Sequence, residues 1–242
     1  LITALALLHG AAADSAEPAA LVTADEAREA ELLRAIARQT RSPFKTEDFV
    51  VELDQHPGLG ESSAMLTVIE FSDLQCGFCR RHLNSVLPAL LERYVSTGRL
   101  RYVFFDFPVE QRHPEAYGAA IAARCAADQG AVQPMRERLY RHPERLEREH
   151  MKDHAAAVGL DAASFAGCLE DATKAEAVRR DLELGQRLMV RGTPTFLVGY
   201  RRADGTSVRV LRRIVGAQPL DVFETAINGV VAEAQSSMAA MR

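Results

Sequence analysis

Four cysteines in 242 residues are too few for a disulfide-rich scaffold. The chain has one C-x-x-C pair, no second, and no histidine spaced to complete a four-ligand set, which argues against structural zinc. Neither sign of charge dominates: 29 Lys and Arg stand against 33 Asp and Glu, a net charge of -4. That balance offers nucleic acid nothing to bind. Beyond the short apolar run Leu1 to Leu8, no segment is long or apolar enough to span a membrane. Internal repeats and long low-complexity tracts are absent as well. What remains is 48% hydrophobic and 26% charged, the composition of a soluble globular protein with a substantial core. The length suits one domain with an insertion, or two small domains.

Residues 1–13 read as the remnant of a secretory signal peptide, with Leu1 to Leu8 as its apolar region and Ala11-Ala12-Ala13 as a small-residue cleavage site. The alternative is an Ala-rich tail. Residues 14–45 read as a linker and an N-terminal helix from Thr23 to Thr40, with Leu32, Leu33 and Ile36 on one face. That helix either packs on the core or joins copies of the chain into a homo-oligomer. Residues 46–242 form the main predicted domain. Strands are predicted at Phe49 to Leu53, Met65 to Phe71, Leu100 to Phe107, Thr195 to Gly199 and Ser207 to Val215, the last two as a hairpin. His56 to Gly60 reads as a loop, and its lone G-x-G is a weak phosphate signal. A helix from Gly77 to Ser96 is expected to kink at Pro88 and stop at Gly98. Helical pattern fills about 111–190, with breaks at Gly130, His142-Pro143 and Gly159 to Asp161, and a closing helix runs from Pro219 to Ala234. The sum is an α/β fold: a mixed central sheet flanked by helices, with an inserted helical domain.

The chain is organised around Glu70-Phe71-Ser72-Asp73-Leu74-Gln75-Cys76-Gly77-Phe78-Cys79. A buried strand leads through a polar turn into C-x-x-C and then a helix, which is the setting of a redox pair. Free N–H groups and aligned dipoles at a helix start favour a thiolate, and the thiolate is the nucleophile of disulfide exchange.

These elements, together with Cys76-Gly77-Phe78-Cys79 and the distant Gly192-Thr193-Pro194-Thr195-Phe196, resemble the thioredoxin superfamily. The helical block between the halves of the sheet makes the chain similar to the DsbA-like branch of periplasmic thiol–disulfide oxidoreductases, over roughly residues 46 to 236. The resemblance implies a thioredoxin-like fold and roles by position. Cys76 would be the attacking thiolate and Cys79 the buried resolving thiol. Pro194 would be a cis-proline against which a substrate chain lies, with Thr193 flanking the dithiol. Glu70, the one charge in an apolar strand, would handle the proton of Cys79. The resemblance further implies an exported, periplasmic location, reduced or misoxidised exported proteins as substrates, a quinone-linked membrane partner of DsbB or VKOR type, and no cofactor. Gly77-Phe78 departs from the Pro-His pair of the family's strongest oxidants, and Thr193 is closer to its isomerases and reductases. A milder oxidant is therefore expected, with an isomerase or reductase, or a non-catalytic binding module, as the other readings.

Cys125 and Cys168 are either two small buried hydrophobes or a structural disulfide within the helical block. His150 and His154 lie one helical turn apart but without the Glu of a metalloprotease motif, and read as a solvated face; no metal site is expected. Arg80, Arg81 and His82 read as exposed, as do Tyr200 to Arg202 and Arg212-Arg213 on the hairpin.

Overall fold

The computed structural model describes residues 44–53 and 56–240, and Pro43–Arg242 form one compact unit. The expected signal remnant 1–13 and the helix Thr23 to Thr40 lie outside the described residues. Among the described residues six strands form one sheet, in the order β1-β6-β5-β3-β4-β2. They are β1 (Phe44–Glu52), β2 (Gly58–Leu59), β3 (Leu66–Ser72), β4 (Leu100–Asp106), β5 (Thr195–Arg201) and β6 (Ser207–Val215). β3 and β4 run parallel; every other pairing is antiparallel. The sheet is mixed, as expected, because a helical crossover joins the parallel pair and a short turn joins the hairpin.

β3 is buried along its whole length, which explains its near-continuous apolar run. β4 divides its residues between the two faces. Tyr102 and Phe104 join one cluster with Val68, Leu87, Phe196 and Phe223. Val103 and Phe105 join the other with Ile69, Phe71, Leu197 and Val210. Each fully buried ring adds roughly 1.5–3 kcal/mol over its exposed state.

Two elements differ from their sequence reading at the edges of the sheet. β1 starts at Phe44, ahead of the expected Phe49, and bulges between Thr46 and Phe49. The predicted loop at His56 to Gly60 contains β2, which pairs with Val103 and Tyr102. The Pro88 helix also differs. It divides into α1 (Gly77–Ser85), α2 (Leu87–Leu90) and a π turn (Leu91–Val95). Pro88 has no N–H to give the preceding turn, and it sits instead near the start of α2, where none is needed.

The block between β4 and β5 consists of α3 (Ala116–Asp128), α4 (Val132–Arg141), α5 (Met151–Ala157), α6 (Ala162–Leu169) and α7 (Ala172–Arg187). Asp161 caps α6, accepting from the Ser164 N–H at 2.8 Å. Asp171 caps α7, accepting from Thr173 N–H at 2.9 Å, and makes a break that the sequence reading passed over. A disulfide joins Cys125 of α3 to Cys168 of α6, 43 residues apart with Cα atoms 5.7 Å apart. The closing helix α8 (Leu220–Ala240) covers the Phe196 face.

Beneath α3 and α7 lies a buried ionic cluster. Arg124 donates through Nε to Asp106 at 2.5 Å and through Nη2 to Asp181. Asp181 also accepts from the Asp106 N–H at 2.8 Å, and its other oxygen meets His56 Nε2 at 2.6 Å. Every charge there has a partner, so losing one member would strand the rest. Among the described residues no helix is long and apolar enough to cross a membrane.

Candidate active site

Asp73 sets the geometry of the turn after β3. Its buried carboxylate accepts from the N–H groups of Gln75 and Val109 and faces His113 Nδ1, each at 2.8 Å. The Cys76 N–H donates to the Asp73 carbonyl at 3.0 Å. So clamped, Cys76 falls at the N-cap of α1 with φ -76° and ψ 121°. Its sulfur lies 3.5 Å from the Thr193 carbonyl. The Thr193–Pro194 peptide is cis and precedes β5.

Cys79 is one turn further along and fully buried, whereas Cys76 borders an opening. The two thiols therefore part company. A hydrogen bond from Cys79 lowers Cys76 to about 5; Thr193 and the N–H groups of Cys79 and Phe78 add to this, against desolvation. Burial pushes Cys79 well above the usual thiol range, helped by Cys76 and by the charge of Glu70.

Glu70 lies on the β3 face that looks toward α1. Burial raises its carboxyl, while Arg136 and a hydrogen bond from Tyr102 hold it down. Tyr102 Oη donates to Glu70 Oε2 at 2.9 Å. His82 Nε2 stands 3.0 Å from Tyr102 Oη. Tyr102 has one proton, which the carboxylate takes, so the histidine N–H donates to the phenol oxygen. Burial lowers His82 to about 3, which keeps the ring neutral. Arg136 of α4 completes this buried layer. Its guanidinium lies 4.1 Å over the Phe104 ring and donates to Ser72 Oγ at 2.5 Å.

Three residues expected at the surface are buried. His82 packs against Phe196 and Phe223, because it lies three residues from Cys79 on the inward face of α1. Arg213 is 7% exposed and bonds Glu47 at 2.6 Å across the β1–β6 pair. His154 is 1% exposed and meets the Arg145 carbonyl through Nε2 at 2.7 Å, so it is an inward residue of α5 and not part of a solvated face. Tyr102 and Arg136 carry no signal of their own in the sequence, and His82 reads there only as an exposed residue. Cys79, His82 and Val86 recur at helical spacing, and Met135, Arg136, Leu139 and Tyr140 do likewise on α4; that periodicity was the available signal.

A thioredoxin family profile matches residues 52–216, about two thirds of the chain. The chain belongs to the thioredoxin family. This thioredoxin domain superimposes on α-DsbA1 of Wolbachia pipientis with a TM-score of 0.63 at 20% identity, covering 78% of this chain and 96% of that one. Oxidised BdbD of Bacillus subtilis gives 0.63 at 19% identity, covering 78% and 99%. A thioredoxin-like oxidoreductase from Silicibacter pomeroyi gives 0.59 at 24%, covering 72% and 91%. The fold is thus the DsbA-type variant of the thioredoxin fold, helical block included. Curated relatives include Na(+)/H(+) antiporter NhaA 3 of Salinispora tropica, 31% identical over 218 residues, covering 85% of this chain and 33% of the antiporter. NhaA of Herminiimonas arsenicoxydans is 34% identical over 147 residues, covering 61% and 23%. The chain spans a third or less of the length of these relatives.

The loop that carries the cis peptide is itself held in an unusual way. α7 ends with Met189 N–H bonded to Gln186 at 3.0 Å and Val190 N–H to Gly185 at 2.8 Å. This closure needs a left-handed residue, usually glycine, and here Met189 has φ 58°. Its side chain is 59% exposed, and Phe78, 58% exposed, lines the opening.

Proposed function

We propose that the chain is an exported thiol–disulfide oxidoreductase that forms disulfides in protein substrates through Cys76 and Cys79. The observation that carries this reading is the asymmetry of the two thiols: one caps α1 at an open mouth, the other is sealed beneath it beside Glu70. In the oxidised enzyme a substrate thiolate attacks Cys76 Sγ, the Cys76–Cys79 bond breaks, and Cys79 leaves and takes up a proton that Glu70 can supply. A second substrate thiolate then attacks the substrate sulfur of the mixed disulfide, and Cys76 leaves as the stable thiolate. Two electrons pass from two substrate thiols to the enzyme dithiol, with no cofactor. Pro194 and Thr193 form the edge along which the substrate chain lies. A quinone-linked membrane protein of DsbB or VKOR type, in the periplasm, would restore the disulfide.

A thiol held near pH 5 favours the reduced enzyme, and this supports oxidase over isomerase. The Phe78 side chain contributes no donor to the thiolate, and its ring meets Arg81 at 5.0 Å instead; the stabilisation comes from Cys79, the Thr193 side chain and the backbone N–H groups of Cys79 and Phe78. Oxidation of reduced ribonuclease, wild type against Cys76→Ser, tests the enzyme reading. Absence of activity in the wild type would leave a binding module. Alkylation trapping in cells tests direction: a mostly oxidised pair supports the oxidase, and a mostly reduced pair overturns it in favour of isomerase or reductase.

A further inference from the structure

The mouth above Cys76 is a cleft of about 800 Å³, and its charge is one-sided. Arg81 of α1, Arg112 of the β4–α3 loop and Arg191 of the loop before Pro194 reach it from three separate elements. His113 adds a fourth basic group, already held by Asp73. Among the described residues no aspartate or glutamate lines the cleft. All three arginines are exposed, and none takes part in an ion pair among the described residues, whereas Arg93, Arg145, Arg202 and Arg209 each have a carboxylate. In a chain of net charge -4 this is a local excess, set around the one sulfur that reacts.

Unpaired guanidinium groups around a concave site attract carboxylates and raise encounter rates with anionic partners. The apolar Phe78 ring in the same wall offers contact area to the intervening chain. We propose that this mouth selects cysteine-containing polypeptide segments that carry carboxylates beside the reacting cysteine. The inference rests on the oxidoreductase reading, and it names the substrate class of that site. The carboxylates seat on Arg81, Arg112 and Arg191 and bring the substrate thiol to Cys76. They take no part in the sulfur chemistry.

The test uses the oxidised full chain and three peptides with two cysteines each, flanked by Glu, Gln or Lys. At low ionic strength the Glu peptide should be oxidised roughly tenfold faster than the Lys peptide, with Gln between them. Half-molar salt should remove most of that ratio. Arg81→Gln/Arg112→Gln/Arg191→Gln should bring it to within about twofold of unity. Arg81→Glu/Arg112→Glu/Arg191→Glu should invert the order, a result that a damaged fold could not produce. Arg93→Gln/Arg99→Gln/Arg202→Gln removes the same charge at the opposite end of the sheet, since β4 begins and β5 ends there. It should keep the order. Equal rates for the Glu and Lys peptides, or collapse of the ratio in this second triple variant as well, overturns the proposal. Failure of all three peptides to react overturns the oxidoreductase reading itself.

Discussion

Two pairs of cysteines adjoin the same buried cluster of the helical layer, and they are in opposite states. Cys125 and Cys168 are bonded, while Cys76 and Cys79 are free. Sequence distance does not explain the difference, since the bonded pair is 43 residues apart and the free pair three. Surroundings do. Cys125 lies among alanines of α3, with Met135 and Phe165 close by, and the Cys168 sulfur lies 3.8 Å from the Asp128 carboxylate, which repels a thiolate. Cys76 has the start of α1, the Thr193 side chain and an opening to solvent, and Cys79 has a carboxylate behind it. The first environment suits a closed bond, and the second suits the bond that the proposed exchange opens and closes.

The largest effect should come from exchanging roles. Cys76→Ser is expected to abolish oxidation of reduced ribonuclease, and Cys125→Ala/Cys168→Ala to keep it at half the wild-type rate or better. Equal losses in the two variants would erase the contrast. The same bridge variant should fall in stability instead. Releasing a 43-residue loop gives about 4 kcal/mol in the chain-entropy picture, read as a lower urea midpoint. An unchanged midpoint would make the bridge dispensable.

The third effect is smaller and depends on pH. Cys76 titrates near 5 in the folded reduced chain and at 9.0 when unperturbed. A depressed folded value adds stability that is complete above pH 9, shrinks on descent through the window, and vanishes below about pH 5. The raised value of Cys79 acts only above the ordinary thiol range, so it leaves this window alone. In a background without the Cys125–Cys168 bridge, the reduced chain should therefore gain on the oxidised chain between pH 5 and pH 9. Water at the mouth screens the effect, which should be on the order of 1 kcal/mol. Parallel curves for the two redox forms would contradict the shift.

The proposed reactive pair was more legible in sequence than the buried layer behind it. Cys76, Cys79 and Glu70 share ten consecutive residues, where a strand, a turn and a helix start follow directly from residue type. Thr193 and Pro194 are readable because proline marks its own backbone. His82 was hidden by its neighbours, since Arg80 and Arg81 give the segment a solvated look while helical geometry turns only the third residue inward. Tyr102 read as an ordinary strand aromatic, and Arg136 as an ordinary helix cation. Their roles depend on strand pairing and on α4 packing over Phe104, which local pattern does not carry. Asp73 was read within the motif, but its bonds to Val109 and His113 reach across some forty residues. The break in the Pro88 helix follows from the proline itself, whereas the left-handed Met189 stands where glycine is usual and leaves no local signal.

The smallest expected effect tests what Glu70 does for the buried member of the reactive pair. If the proposed exchange is run in the reducing direction, Cys79 must lose its proton to attack the mixed disulfide, and Glu70 would be the base. Glu70→Gln removes that base, so insulin reduction at neutral pH should fall on the order of tenfold. It also removes a charge that repels the Cys79 thiolate, so the thiolate's ultraviolet absorbance should develop at lower pH than in the wild type. Tyr102→Phe acts on the same carboxylate more gently. It deletes the donor that holds Glu70 down, leaving a larger fraction protonated at neutral pH and a loss of roughly threefold. That loss should recover as pH rises through the range in which the Glu70 carboxyl, still present, deprotonates, whereas the Gln variant recovers only where Cys79 itself ionises. Both variants should leave Cys76 titrating near 5, since its stabilising donors are Cys79, Thr193 and backbone N–H groups. The same pH dependence of activity in both variants would take Glu70 out of the proton path and leave it as a buried charge balanced by Arg136.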